Sequence, residues 1–353
     1  MNRIVFDCER MKYDNTGLYY FCLNLGIHLQ KNLDHYDEDL GFYVPPPGLN
    51  MFGRNTFYLP QNSWQKFYMP NVTKFDIWHS CYQFTRYMPK RNKKIRVVLT
   101  IHDLNYLYEN MSEARRMRLH RRVQGNIDRA DAIVCISDFA RKDVLTYCKT
   151  DNKPIHVIYN GTNELSSPTL YSHSYKPERP FVFTLGVIAR KKNFHVLLPL
   201  LEQNHDMELL IAGRLDEPKY LRFIHDSARE MNVEKNLRVL GLISEPEKSW
   251  YFRNCYAFAF PSIAEGFGLP VTEAMSVGKP VFLSNKTALP EIGSNAAFYF
   301  RNFNADHMQQ VFSNGMKQYE KQKNMPQKIM QRSASFSWDK AARQYIEVYR
   351  SLY

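Results

Sequence analysis

Short apolar runs alternate with longer amphipathic stretches along this chain, and that rhythm predicts βα units built on parallel sheets. In the first half Ile4-Val5-Phe6 reads as a strand and residues 18–29 as the helix after it. Residues 75–78, 96–101 and 132–136 read as further strands, and residues 154–159 as a strand candidate that closes this half. Residues 165–180 hold Ser166, Ser167, Pro168, Ser172, Ser174, Pro177 and Pro180 without apolar periodicity, which predicts a linker. A second series follows. Strands are predicted at 181–185, 208–212, 237–240, 257–260 and 280–283, with a helix from about Asn193. Trp338, Ala341, Tyr345, Val348 and Leu352 recur at helical spacing and predict an amphipathic closing helix. The expected organisation is therefore an N-terminal Rossmann-like domain over 1–170, a second over 171–335, and a closing helix over 336–353.

Length agrees, since 353 residues suit two open α/β domains. The six cysteines, Cys8, Cys22, Cys81, Cys135, Cys148 and Cys255, form no C-x-x-C pair and no zinc spacing. They read as reduced, buried thiols of a cytosolic protein. The N-terminal strand meets Asp7, Glu9 and Arg10 at once, unlike a signal peptide, and no apolar run approaches bilayer-spanning length. The expected place is the cytoplasm, including the inner face of its membrane.

The net charge of +12 is evenly spread: 23 Lys and Arg against 17 Asp and Glu over residues 1–170, and 24 against 18 in the remainder. Two clusters stand out. Arg86, Lys90, Arg91, Lys93, Lys94 and Arg96 form one; Arg115, Arg116, Arg118, Arg121 and Arg122 form the other. Such patches suit phosphates, whether of an anionic lipid or a nucleotide sugar. No nucleic-acid-binding motif accompanies them, so nucleic acid is not an expected partner. Residues 112–127 place Leu119, Val123 and Ile127 at i, i+4 spacing among the arginines. Either this basic amphipathic helix lies on an anionic membrane, or its stripe packs on the sheet and its arginines are solvated.

Candidate chemistry concentrates after the strand at 257–260, in Pro261-Ser262-Ile263-Ala264-Glu265-Gly266-Phe267-Gly268-Leu269-Pro270-Val271-Thr272-Glu273-Ala274-Met275. Ligands of open parallel sheets sit outside the carboxyl ends of the strands. The glycines permit a sharp turn and close approach to a ligand, and Pro270 fits the first turn of a helix. Free N–H groups over residues 267–271 would then face an anion. Glu273, about one turn in, suits a ribose diol, and Glu265 suits sugar hydroxyls.

This string resembles the donor-binding signature of the family-four retaining glycosyltransferases, which have the GT-B fold. The resemblance extends to Val281-Phe282-Leu283-Ser284-Asn285, Ala288-Leu289-Pro290-Glu291-Ile292, Leu185-Gly186, Arg190-Lys191-Lys192-Asn193, Thr100-Ile101-His102-Asp103-Leu104, Ile136-Ser137-Asp138-Phe139, Tyr159-Asn160-Gly161 and Phe336-Ser337-Trp338. It implies two Rossmann-like domains facing a central cleft, with the C-terminal helix crossing back to the N-domain. It also implies roles. Glu273 would bind the donor ribose, and Glu265, with the amides of Phe267, Gly268 and Leu269, would hold the donor sugar and diphosphate. Lys192 would neutralise the leaving diphosphate, with Lys191 or Arg190 beside it. Gly186 would provide the turn before them, Gly17 would let the first loop approach the phosphate, and His102 would reach the transferred sugar.

Val187 stands where many members carry an arginine, which places the positive charge on the 190–192 run. Chains with an Arg/Lys-Lys-Asn turn resemble mannosyl- and other hexosyltransferases of surface polysaccharide assembly. The expected reaction is metal-independent, retaining transfer of a hexose from a nucleotide sugar, GDP-mannose first, to a glycan or lipid-linked acceptor. The nucleotide sugar is a co-substrate, and no cofactor is expected. A GT-B epimerase is the alternative, marked by acceptor-independent epimer formation; a non-catalytic glycan- or nucleotide-binding subunit is another, against which Glu265, Lys192 and His102 argue. Asp37-Glu38-Asp39 spells the D-x-D metal motif of the other glycosyltransferase architecture, but it is not read as a metal site because it follows no apolar strand.

Overall fold

A computed structural model describes residues 2–14, 16–34, 36–54, 56–69, 72–89, 94–166 and 174–353. Asn15, Lys90, Arg91, Lys93 and linker residues 167–173 lie outside the described residues. The chain divides into a first unit, Met1–Gly161 with Phe336–Tyr353, and a second, Thr162–Ser335. The division falls ahead of the proline-bearing run because the start of the second segment is already tied into the second unit. There Thr162 Oγ1 meets Ser333 Oγ at 3.1 Å, and Asn163 donates to Glu273 at 2.8 Å.

The first unit carries β1 (Asn2–Asp7), β2 (Glu38–Val44), β3 (Phe57–Pro60), β4 (Ile77–Ser80), β5 (Arg96–Ile101), β6 (Ala132–Cys135) and β7 (Ile155–Val157). They form one parallel sheet in the order β3-β2-β1-β4-β5-β6-β7. Its helices are α1 (Gly17–Asn32), α2 (Glu113–Arg129) and α3 (Asp138–Tyr147). The closing helix, Trp338–Arg350, packs on α1 within this unit. Leu119, Val123 and Ile127 of α2 pack on the core of the sheet. Of the two readings of that stripe, packing is the observed one, and it leaves only the arginine face outside.

Two strands of this unit escaped the sequence reading. β2 opens on Glu38-Asp39 within the charged triplet, and β3 is short and edge-placed. Glu38 is 3% exposed, and Arg350 engages both of its oxygens at 2.8–2.9 Å. That carboxylate is part of the packing of the closing helix.

The second unit carries β8 (Phe181–Leu185), β9 (Glu208–Ala212), β10 (Leu237–Gly241), β11 (Ala257–Phe260), β12 (Val281–Ser284) and β13 (Phe298–Phe300), parallel in the order β10-β9-β8-β11-β12-β13. Its helices are α4 (Pro199–Glu202), α5 (Pro218–Glu230), α6 (Glu245–Asn254), α7 (Leu269–Ser276), α8 (Leu289–Gly293), α9 (Ala305–Lys321) and α10 (Met325–Ala334). The helix expected from about Asn193 is instead one 3-10 turn, Phe194–Leu197, and the four-residue α4. Asn193 at φ 60° breaks the segment, and Pro199 restarts it.

Each sheet reverses its strand order once, at β1/β4 in the first and at β8/β11 in the second. Such reversals open a crevice at the carboxyl ends of the two strands.

Candidate active site

In the second unit the crevice lies beyond Leu185 and Phe260. After β8, residues Arg190–Lys192 make one 3-10 turn. After β11 the chain runs through Glu265 to Gly268, whose φ of 97° favours glycine, and enters α7 with Pro270 in its first turn. Ile263 N–H donates to the Lys191 carbonyl at 2.9 Å, tying the two loops together.

That tie sets Lys192 against Glu265, Nζ to Oε1 at 2.5 Å, with side chains only 12% and 14% exposed. Lys192 Nζ also lies 4.7 Å from the Phe260 ring centroid. The Glu265 backbone is fixed on the far side, its N–H donating to Thr287 Oγ1 at 2.9 Å and its carbonyl accepting from Ala288 at 3.4 Å. A β-carbon on Gly186 would sit 3.0 Å from Lys192 Cε, so the turn after β8 forms the floor under the lysine. Arg190 goes elsewhere. Its guanidinium lies over Phe223 and Tyr220 of α5, at 5.1 and 5.7 Å. The structure joins Lys192 to Glu265 and sends Arg190 to α5; Lys191 contributes its carbonyl to the loop tie.

The helix-terminus expectation narrows by one amide. Val271 N–H already bonds the Gly268 carbonyl at 2.9 Å, which withdraws it from the amides expected to face an anion at the start of α7. Phe267 and Gly268 are buried, and Leu269 is half-buried.

Glu273 is 3% exposed. Its Oε1 accepts from Asn163 Nδ2 at 2.8 Å and from Lys248 Nζ at 3.1 Å. Lys248 of α6 also pairs with Glu245 at 2.7 Å. Burial disfavours the Lys248 ammonium, but Glu273 and Glu245 outweigh it and hold its pKa above the ordinary lysine value. Burial pushes the Glu273 carboxyl up, while Lys248 and Asn163 oppose it. With an ammonium this close, the carboxylate is the form the site keeps.

Gly17 and His102 belong to the first unit. Gly17 is the first residue of α1, capped by Thr16, whose hydroxyl accepts from Tyr19 N–H at 3.3 Å. His102 follows β5 and is 8% exposed. Its Nε2 lies 2.7 Å from the Cys81 carbonyl, which only accepts, so Nε2 carries the proton. Burial lowers its pKa to about 4, which keeps the ring neutral at pH 7.

Two family profiles match this chain: Glycosyl transferases group 1 over residues 172–334, and Glycosyltransferase Family 4 over residues 26–164. The chain belongs to the family-four glycosyltransferases. Among its relatives is the serotype-specific mannosyltransferase WbdA of Escherichia coli, 25% identical over 288 residues, 76% of this chain and 35% of that protein. Another is the O-antigen chain mannosyltransferase B of E. coli, 24% identical over 295 residues, 75% of this chain and 72% of that one. The chain thus spans about a third of the length of WbdA. Solved structures with the same fold include a sucrose-phosphate synthase from Thermosynechococcus elongatus, at TM-score 0.77 and 17% identity over 100% of this chain and 99% of that one. The Anabaena protein HepE, in complex with UDP and glucose, matches at TM-score 0.72 and 16% identity over 99% and 100%. The fold shared with these structures is GT-B.

Sequence reasoning missed Asn163 and Lys248. They lie 110 and 25 residues from Glu273, and no local spacing links them to it. The one available signal was the need of a buried carboxylate for a cation.

Proposed function

We propose that this glycosyltransferase moves a hexose from a nucleotide sugar, GDP-mannose first, to a glycan or lipid-linked acceptor of a surface polysaccharide, with retention and without a metal ion. The observation that carries the reading is the Lys192–Glu265 pair at the β8/β11 crevice, beside the start of α7 and one turn from buried Glu273. The mannosyltransferase names of the relatives support the choice of sugar.

In this reading Glu273 takes the ribose diol, and the first amides of α7 take the diphosphate. Lys192 turns from Glu265 to the leaving phosphate, freeing Glu265 for sugar hydroxyls. The C1–O bond to phosphate breaks as the acceptor oxygen attacks C1 on the same face. The acceptor proton passes to the departing phosphate oxygen. Negative charge grows on that phosphate in the transition state, and the lysine and helix dipole are aimed at it.

Calorimetric titration with a panel of nucleotide sugars tests the reading, followed by NMR of the product anomer. GDP-mannose should bind tightest and give the α-linked product of retention. Tighter binding of another sugar nucleotide would overturn the donor, and an inverted anomer the stereochemistry. EDTA should leave turnover intact; loss restored by Mg²⁺ or Mn²⁺ would overturn the metal-free mechanism.

A further inference from the structure

The first unit holds a cavity of about 520 Å³ lined by Lys66, Arg86, Arg121, Arg122 and Arg129, together with Phe67, Thr85, Met88, Gly125 and Asn126. Five cations and no carboxylate line it. Arg129 forms a fixed wall, its Nε donating to the Pro89 carbonyl at 2.7 Å and its NH2 to the Ile95 carbonyl at 3.1 Å. Asn126 bonds the Gln83 and Thr85 carbonyls, at 2.9 and 3.1 Å, which fixes the loop carrying Arg86 to α2. Among the described residues Arg86, Arg121 and Arg122 have no acidic partner. Burial, then Arg86 and Arg118, depress the pKa of Arg122, the mark of cations gathered without an anion. A guanidinium cluster of this kind matches phosphate geometry.

The rim carries a second signal. Trp64, Phe67 and Tyr68 are 77%, 82% and 76% exposed, three large aromatics within five residues. They are not loose. Asn62 and Gln65 form a capping box around the turn Ser63–Lys66, and Tyr43 OH donates to Gln65 at 2.7 Å. Phe67 both lines the cavity and stands on the rim, so the basic and aromatic surfaces are continuous. Exposed Trp, Tyr and Phe beside unpaired arginines are the composition of a bilayer interface.

We propose that this pocket docks the first unit on an anionic bilayer, Arg86, Arg121 and Arg122 taking lipid phosphates while Trp64, Phe67 and Tyr68 enter the interfacial layer. The membrane is met by this pocket, because the apolar stripe of α2 is already spent on the core. The inference stands apart from the donor site, which lies in the second unit.

The test is sedimentation of the full chain with phosphatidylglycerol vesicles, against pure phosphatidylcholine. The chain should sediment with the first, not the second, and be released by salt. Each arginine near an anionic surface is worth about fivefold in affinity, so Arg86→Glu with Arg122→Glu should weaken binding at least ~25-fold. Phe67→Ser should weaken it severalfold with no change in charge. Calorimetric nucleotide affinity should stay at the wild-type value in both variants, which separates this surface from the donor reading. Millimolar inorganic phosphate should not release the wild type. If circular dichroism shows the double variant unfolded, Arg121→Gln, at an exposed position, should still cost ~5-fold. Wild-type protein left in the supernatant at low salt, or folded arginine variants that sediment like wild type, would overturn the proposal. So would release by phosphate with Phe67→Ser unaffected, which would make the ligand a soluble phosphate.

Discussion

Glu273 and Lys192 were both readable from the string and turn that contain them, yet each is held by something a string does not carry. Glu273 shares Lys248 with Glu245. Glu273→Gln, which keeps the volume and a hydrogen-bonding oxygen, should therefore leave Lys248 paired and the second unit folded. Loss of a charge-assisted hydrogen bond costs roughly 1.5–3 kcal/mol, so nucleotide affinity should fall about ten- to a hundredfold. Calorimetry on the folded variant decides it, and wild-type affinity would remove Glu273 from the ribose. Lys192→Ala should act differently. Its charge matters most as the phosphate departs, so kcat should fall further than acceptor KM rises. A steady-state profile in which only KM moves would mean that the lysine serves binding alone. The 190–192 run sets three cations side by side, and only the resemblance put Lys192 ahead of its neighbours. Only the packing of Arg190 on Phe223 and Tyr220 distinguishes it from Lys192.

At the level of elements, strands that are buried on both faces were legible. β5, β8, β9 and β11 begin and end where the sequence predicts them. β2 was hidden because its first two residues are acidic, and one of those charges is answered by Arg350, 312 residues away. β13 has three residues, too few for a period to show. The close packing of the turns after β8 and β9 was equally hidden. Gly213, at φ 139°, has no room for a side chain: a β-carbon there would fall 1.9 Å from the Gly186 carbonyl oxygen. Gly213→Ala should push the β8 turn out of place and destabilise the second unit by roughly 4 kcal/mol or more. Urea unfolding measures it, and a wild-type midpoint would show that the two turns can separate.

For the whole molecule, pH is the informative variable. His79 is fully buried in the first unit, stacked on Phe6 and Tyr345, with its ring nitrogens 2.7 Å from Tyr349 OH and Thr100 Oγ1. Burial, then His102, lowers its pKa to about 3, so the folded protein holds it neutral. A depressed pKa gives stability that is complete above the unfolded value near 6.5 and is lost as the pH falls toward 3. His79→Gln retains one donor and one acceptor but cannot titrate. The stability of wild type relative to this variant should be constant above about pH 6.5 and fall by about 1.4 kcal/mol per unit below it. A difference that is flat from pH 7 to 4 would show that His79 is already charged or already wet. Nothing in the sequence around His79 announces this role, because its partners Tyr345 and Tyr349 lie on the closing helix.

That helix gives synthesis an order. The second unit, Thr162–Ser335, is inserted between the two pieces of the first, so it leaves the ribosome as one uninterrupted stretch and can fold on emergence. The first unit cannot finish. Its strands are all translated by Val157, yet the helix that covers His79 arrives only after the whole insertion, about 10–35 s later at ordinary elongation rates. For that interval the nascent chain carries an uncovered aromatic face on an otherwise complete sheet, which makes this face the place where a holdase would engage it.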